Sequence, residues 1–129
     1  MISSARIRNA AAGLVLAAAF FCALPAHARA TPESLPDIAV SDLPEEGRAV
    51  LAQIHRGGPF RYERDGVVFG NYEKLLPAKH KGYYHEYTVH TPGSKNRGAR
   101  RIICGGPVSS PEHCYYTSDH YRSFKRITE

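Results

Sequence analysis

Four side chains in the C-terminal half could act together on a phosphodiester: Glu86, Arg97, Arg101 and His120. A carboxylate can take a proton, an imidazole can give one near neutral pH, and two guanidinium groups can hold a phosphate while it gains charge. Strand parity brings part of this set together. In the run 83–90, Tyr84, Glu86, Thr88 and His90 face one way, and Tyr83, His85, Tyr87 and Val89 the other. If 97–104 is extended, Arg97, Ala99, Arg101 and Ile103 share a face, while Arg100, Ile102 and Cys104 point away. Taken singly, each residue has a bland alternative. A strand glutamate is usually solvated or ion-paired, a histidine after Asp119 can be a turn residue, and an arginine run can be a generic basic strand. His55, His80, His90 and His113 read as surface histidines, and His85 as structural.

The elements that must position these groups follow from patterning. Leu43, Gly47, Val50, Leu51 and Ile54 share one helical face, Pro44 suits a first turn, Asp42 and Glu45 have capping-box spacing, and Gly57-Gly58-Pro59 ends the run. After Pro59 the chain reads as strands over 67–71, 83–91, 97–104, 115–117 and 121–127, separated by turn signals such as Asp65-Gly66 and Pro92-Gly93. The expected class is α+β: one N-terminal amphipathic helix packed on a single antiparallel sheet of about five strands, the other face free for a ligand.

At 129 residues the chain is too short for a multidomain enzyme. Residues 1–28 read as a secretion signal. Arg6 and Arg8 precede an uncharged run over 10–24, shorter than the roughly 20 apolar residues of a membrane span, and a peptidase could cut after Ala28 or Ala30. Residues 29–41, with Pro32 and Pro36, read as an extended arm, and 42–129 as the folded domain. The whole chain has 17 basic and 12 acidic residues, net +5. The excess gathers in 95–126, which favours a polyanionic partner. Cys22 leaves with the leader, so in an oxidising compartment Cys104 and Cys114 can pair only with each other. Two cysteines ten apart without a CxxC pair make a poor zinc pattern.

The motifs Gly58-Pro-Phe60, Asp65-Gly-Val-Val-Phe69, Asn71-Tyr-Glu73, Gly82-Tyr-Tyr-His-Glu-Tyr-Thr-Val89, Arg97-Gly-Ala-Arg-Arg-Ile-Ile103 and Tyr115-Tyr-Thr-Ser-Asp-His-Tyr121 occur in one order. Together they resemble the small secreted microbial ribonucleases, the barnase-like guanyl-specific family, over about 43–127. The resemblance implies that Glu86 is the general base and His120 the general acid, with Arg97 and Arg101 on the phosphate. It implies a 2′,3′-cyclic phosphate product and neither metal nor cofactor, since arginine supplies the charge. The base site maps onto Phe69, Gly70, Asn71, Tyr72 and Glu73, with Glu73 accepting the donors of guanine's Watson–Crick edge. Tyr72 or Tyr121 would stack on a ring, and Tyr84 is a candidate phosphate contact. Gly70 and Tyr72 depart from the bacterial branch, which carries a longer polar residue and an arginine there; a tyrosine resembles the aromatic lid of the fungal branch.

The expectation is a secreted, monomeric endoribonuclease of the microbial ribonuclease fold that cuts single-stranded RNA after guanosine, not held by a membrane once the signal is removed. A barstar-like protein inhibitor in the producing cell is an implied partner. The alternatives are a catalytically silent RNA-binding module on the same scaffold, or the same enzyme used as a toxin against competing cells.

Overall fold

The computed structural model describes residues 13–20 and 34–129. Most of the leader, with both candidate cleavage positions, lies outside the described residues, and 13–20 form neither helix nor strand. The ordered elements are β1 (Asp37–Ala39), a 3₁₀ turn (Val40–Asp42), α1 (Glu45–Arg56), β2 (Val67–Phe69), β3 (Tyr84–Thr88), β4 (Arg101–Gly105), β5 (His113–Thr117) and β6 (Lys125–Thr128). They form a six-stranded sheet in the order β1-β6-β5-β4-β3-β2, with α1 packed on one face.

Two expectations about the sheet are corrected. It has six strands rather than about five, and it is mixed: β1 pairs with β6 in parallel, whereas every other neighbour is antiparallel. The extra strand comes from the supposed arm. Its three residues are too few to show alternation, and its partner lies at the far end of the chain. Arg126 fixes the pairing, donating its N–H to the Pro36 carbonyl at 2.8 Å and placing its guanidinium 3.5 Å from Asp37.

α1 starts later than its capping-box spacing suggests. Asp42 is spent in the 3₁₀ turn, Pro44 occupies the N-cap, and no side chain caps the helix. Proline needs no N–H partner there, and Glu45 and Glu46 in the first turn complement the helix dipole. Gly57, at φ 80°, closes the other end, where the N–H groups of Gly57 and Gly58 reach the carbonyls of Ile54 and Gln53.

The helix covers the side of the sheet that parity assigns to Tyr87 and Val89. Leu43, Leu51 and Ile54 pack with Tyr87, Val89, Ile102, Cys104, Cys114 and Tyr116. Fully burying side chains of this size stabilises by about 1.5–3 kcal/mol each. Cys104 and Cys114 face each other across β4 and β5 and are joined by a disulfide, as the sequence leads one to expect. Arg100 also turns to this side, 3.8 Å from Glu46 of α1.

Four strands are shorter than patterning suggests, three of them because the chain bends where the site is built. Asn71 has φ 51° and ends the extended run after β2, Gly98 has φ 64° and keeps 97–100 out of β4, and His120 and Tyr121 have φ 56° and 70° and delay β6.

Candidate active site

The face of β3, β4 and β5 away from α1 carries a second apolar cluster, Leu76, Tyr84, Ile103, Tyr115 and Phe124. Beside it lies a polar set. Thr88, Arg101 and Thr117 sit across from one another on the three strands, and Glu86 lies one pleat along on the same face of β3. Glu86 is 6% exposed and Arg101 2%, so both charges are held almost without water.

Tyr121 links them. Its hydroxyl donates to Glu86 Oε2 at 2.7 Å and accepts from Arg101 Nε at 3.1 Å. Burial first, and then the hydrogen bond and charge of Glu86, push the Tyr121 hydroxyl above its ordinary pKa despite the opposing pull of Arg101, so the proton stays on the phenol. Arg101 Nη1 donates to the carbonyls of Arg100 at 2.7 Å and Gly98 at 3.0 Å, with a longer contact to Arg97 at 3.4 Å. The guanidinium therefore holds the 97–100 turn in place as well as facing the site.

Arg97 is outside β4, so simple strand alternation does not place it; the turn at Gly98 does. Its Nε and Nη2 donate to Thr88 Oγ1 at 3.1 and 2.8 Å, and Nη2 lies 3.6 Å from Glu86 Oε1. Sequence reasoning missed one further cation. Arg64 Nε stands 3.9 Å from the same oxygen. Its turn is fastened to β3 by Asp65, which accepts from the Thr88 N–H at 2.7 Å and the Tyr62 N–H at 3.1 Å, and by Gly66 N–H to the Glu86 carbonyl. The Asp65-Gly66 turn signal was readable in the sequence; that it would carry its preceding arginine to Glu86 was not.

His120 is exposed on the turn after β5, its backbone N–H bonded to Ala99 at 3.0 Å and its ring centroid 4.8 Å from that of Tyr121. Two consecutive non-glycine residues at positive φ cost backbone energy that the surroundings must offset. Asp119 does so, accepting from the Ser123 N–H at 3.0 Å, the Ser123 hydroxyl at 2.6 Å and the Thr117 hydroxyl at 2.9 Å. Burial pushes the Asp119 carboxyl up, but these donors outweigh it and hold it below its ordinary range.

The expected base site surrounds a cavity of about 180 Å³ lined by Phe69, Asn71, Tyr72, Glu73, Leu75, Tyr121 and Phe124. Phe69 stacks on Tyr121 with centroids 5.3 Å apart, tying this cavity to the Glu86 cluster. Asn71 shapes the loop with its side chain: Nδ2 donates to the Leu76 carbonyl and Oδ1 accepts the Leu76 N–H. Gly70 and Tyr72 are coupled, because a Cβ at position 70 would lie 2.5 Å from the Tyr72 ring. That ring is 93% exposed and folds over the glycine. Glu73 stands between this cavity and a larger one of about 380 Å³ bordered by Leu35, Pro36 and Arg122–Lys125. The larger cavity lacks Tyr121, through which the smaller one adjoins Glu86, so the smaller one is the base pocket candidate. Tyr84, the expected phosphate contact, lies on the same face of β3 as Glu86. It is buried, and its hydroxyl is committed to the Pro77 carbonyl at 2.6 Å.

A sequence model of the family described as ribonuclease matches residues 26–128. This chain belongs to the ribonuclease family. It is 52% identical over 98 residues to guanyl-specific ribonuclease Sa3 of Kitasatospora aureofaciens, covering 76% of this chain and 67% of that protein. To guanyl-specific ribonuclease Sa of the same organism it is 49% identical, over 71% of this chain and 93% of the relative. Among solved structures, ribonuclease Sa2 in complexes with mononucleotides superposes with a TM-score of 0.69 at 46% identity, covering 74% of this chain and 95% of that one. Ribonuclease Sa2 with guanosine-2′-cyclophosphate gives 0.67 at 46% identity, over 73% and 96%. The family's fold thus accounts for the helix and the sheet, and the polar face just described is this ribonuclease's candidate catalytic surface.

Proposed function

We propose that this chain is a secreted endoribonuclease that cuts single-stranded RNA on the 3′ side of guanosine by transesterification. The observation that carries the reading is the clustering of Glu86, Tyr121, Arg97 and Arg101 on one sheet face, next to a cavity edged by Glu73. Relatives near 50% identity named guanyl-specific ribonucleases, and a neighbour solved with guanosine-2′-cyclophosphate, support the base and the chemistry.

In the first step Glu86 takes the proton of the ribose 2′-OH, the freed O2′ attacks phosphorus, and His120 protonates the departing 5′-oxygen. Arg97 and Arg101 stabilise the charge of the five-coordinate phosphorus; because Arg101 is buried and its turn is fixed, little reorganisation accompanies that charge. Water then opens the 2′,3′-cyclic phosphate with the acid and base roles reversed. DNA lacks the attacking hydroxyl and is not a substrate. Glu73 accepts the two donors of guanine's Watson–Crick edge, and Tyr72 covers the ring.

Secretion is supported by the leader pattern of 1–28 and by the disulfide, which an oxidising compartment maintains. The protein acts as a monomer. Arg122 and Lys125, exposed close after His120 in the chain, suit an acidic, barstar-like inhibitor.

Incubating the exported protein with GpC and ApC in EDTA tests the reading. GpC should be cleaved at least about tenfold faster, and Glu73→Ala should narrow the gap by about ten- to a hundredfold, the equivalent of roughly 1–3 kcal/mol of base discrimination. Equal cleavage of both dinucleotides would remove guanine preference and leave the ribonuclease; no cleavage of either would remove both.

A further inference from the structure

On the far side of the base loop lies a third cavity, about 360 Å³ in volume, that the reaction above does not use. Lys74, Lys79, His80, Lys81, Tyr72 and Tyr84 line it, and no acidic residue does. The three lysines are exposed. Two contacts shape the rim: Lys79 Nζ lies 5.2 Å from the centre of the Tyr83 ring, and the His80 ring meets the same tyrosine edge-on at 5.6 Å. The Tyr83 N–H closes the turn on the His80 carbonyl at 3.1 Å, and Gly82 at φ 88° permits that turn. Three lysines around one recess with no counter-charge in its lining make an anion site.

Position says which anion. The cavity shares Phe69, Asn71 and Tyr72 with the base pocket, so the exposed Tyr72 ring is a common wall. Along β3 the order runs from Thr88, beside the arginines, through Glu86 to Tyr84, which pairs with Phe69 of the base loop, and then to Gly82 and Lys81. The lysines therefore lie beyond the base loop from the scissile phosphate. The arginines take the phosphate on the 3′ side of the bound guanosine, so the adjoining phosphate left to a recess that shares a wall with the guanosine pocket is the one on its 5′ side.

We propose that the Lys74–Lys79–Lys81 recess binds the phosphate and nucleotide immediately 5′ of the guanosine, with Tyr72 as a stacking surface between the two nucleotides. The inference rests on the ribonuclease reading above, extending its substrate from one base to a strand. It makes the enzyme prefer internal guanosines to 5′-terminal ones.

The test compares cleavage of GpC, UpGpC and GpCpC by the exported wild-type protein and by the Lys79→Gln/Lys81→Gln variant at low salt. In wild type the 5′ extension should raise kcat/KM about tenfold over GpC. The variant should lose most of that gain, with its GpC rate reporting an intact fold and its GpCpC to GpC ratio unchanged. The salt dependence on UpGpC should also become shallower, by about 0.7 in the log–log slope for a lost phosphate contact. No gain from the 5′ extension in wild type, a gain that survives in the variant, or a loss confined to GpCpC would each overturn the inference. Should GpC and ApC be cut alike, guanine specificity fails, and UpApC against ApC still decides the recess. Should no RNA be cut, affinity for the uncleavable 2′-deoxy analogues with and without the 5′ nucleotide decides it by the same difference.

Discussion

On β3, β4 and β5, residues that meet the helix and residues that meet the site alternate one by one. Tyr87, Ile102 and Tyr116 lie across from one another on the helix side; their immediate neighbours Thr88, Arg101 and Thr117 lie across from one another on the other. The first row is closed by α1 and the disulfide, so its burial stabilises the fold by removing apolar surface from water. The second row, with Glu86, buries charge. Taking charges out of water is costly, and here hydrogen bonds through Tyr121, Thr88 and the 97–100 carbonyls compensate. One backbone thus holds a face built for stability a single residue away from a face built for reaction, and the two should be separable by mutation.

The sharpest separation is at the acid and base. His120→Ala and Glu86→Gln should each lower GpC turnover by about 10²–10⁴, because positioned proton transfer contributes on that scale. His120 is exposed, so the melting temperature of His120→Ala should stay close to wild type. Retention of more than half the activity in His120→Ala would remove it from the mechanism.

The mirror experiment is Ile102→Ala. Ile102 is fully buried on the helix side, and the change should cost about 2–5 kcal/mol in urea unfolding while the folded fraction keeps its kcat/KM. A large loss of activity under conditions where the variant is folded would show that the two faces are mechanically coupled.

Alkaline pH should erode both faces together. Burial pushes the hydroxyls of Tyr87 and Tyr116 on the helix side, and of Tyr84, Tyr115 and Tyr121 on the other, above their ordinary values. An unfolded chain ionises these groups near pH 10 and the folded one resists. Their contribution is therefore fully present below pH 10 and is lost as pH rises through the folded values. The urea midpoint should fall between pH 9 and pH 11, and Tyr84→Phe should flatten part of that fall.

Alternation explains why much of the site was legible in the sequence. A period of two put Glu86 with Thr88 and Tyr84, and Arg101 with Ile103, on the correct common faces, and it turned Arg100 towards the helix. It failed where the chain leaves the extended state. Alternation extends β4 back to Arg97 and β6 back to Tyr121, whereas the strands begin at Arg101 and Lys125, because positive φ at Gly98, His120 and Tyr121 leaves little trace in a pattern of apolar and polar residues. β1 was missed for another reason: its pairing is with β6 and has no local signature. Alternation puts Tyr84 on the site face but cannot say what its hydroxyl meets, since a tyrosine there can face a substrate or the core; it donates to the Pro77 carbonyl.

Arg64 offers the smallest effect and the finest test of how the reactive face is bounded. It enters from the turn before β2 rather than from the sheet, with its side chain 66% exposed and its Nε 3.9 Å from Glu86 Oε1. Water around so open a guanidinium screens its field, and exposed ion pairs contribute about 0–1 kcal/mol. Arg64→Gln should therefore lower kcat/KM by about fivefold at most, and the loss should shrink as salt rises. Arg97, whose side chain is 27% exposed and locked on Thr88 by two hydrogen bonds, should lose far more on the same change and should keep that loss in high salt. If Arg64→Gln proves as damaging as Arg97→Gln, the catalytic surface extends onto the turn, and the reactive face is assembled from loop and sheet alike rather than from the alternating strands.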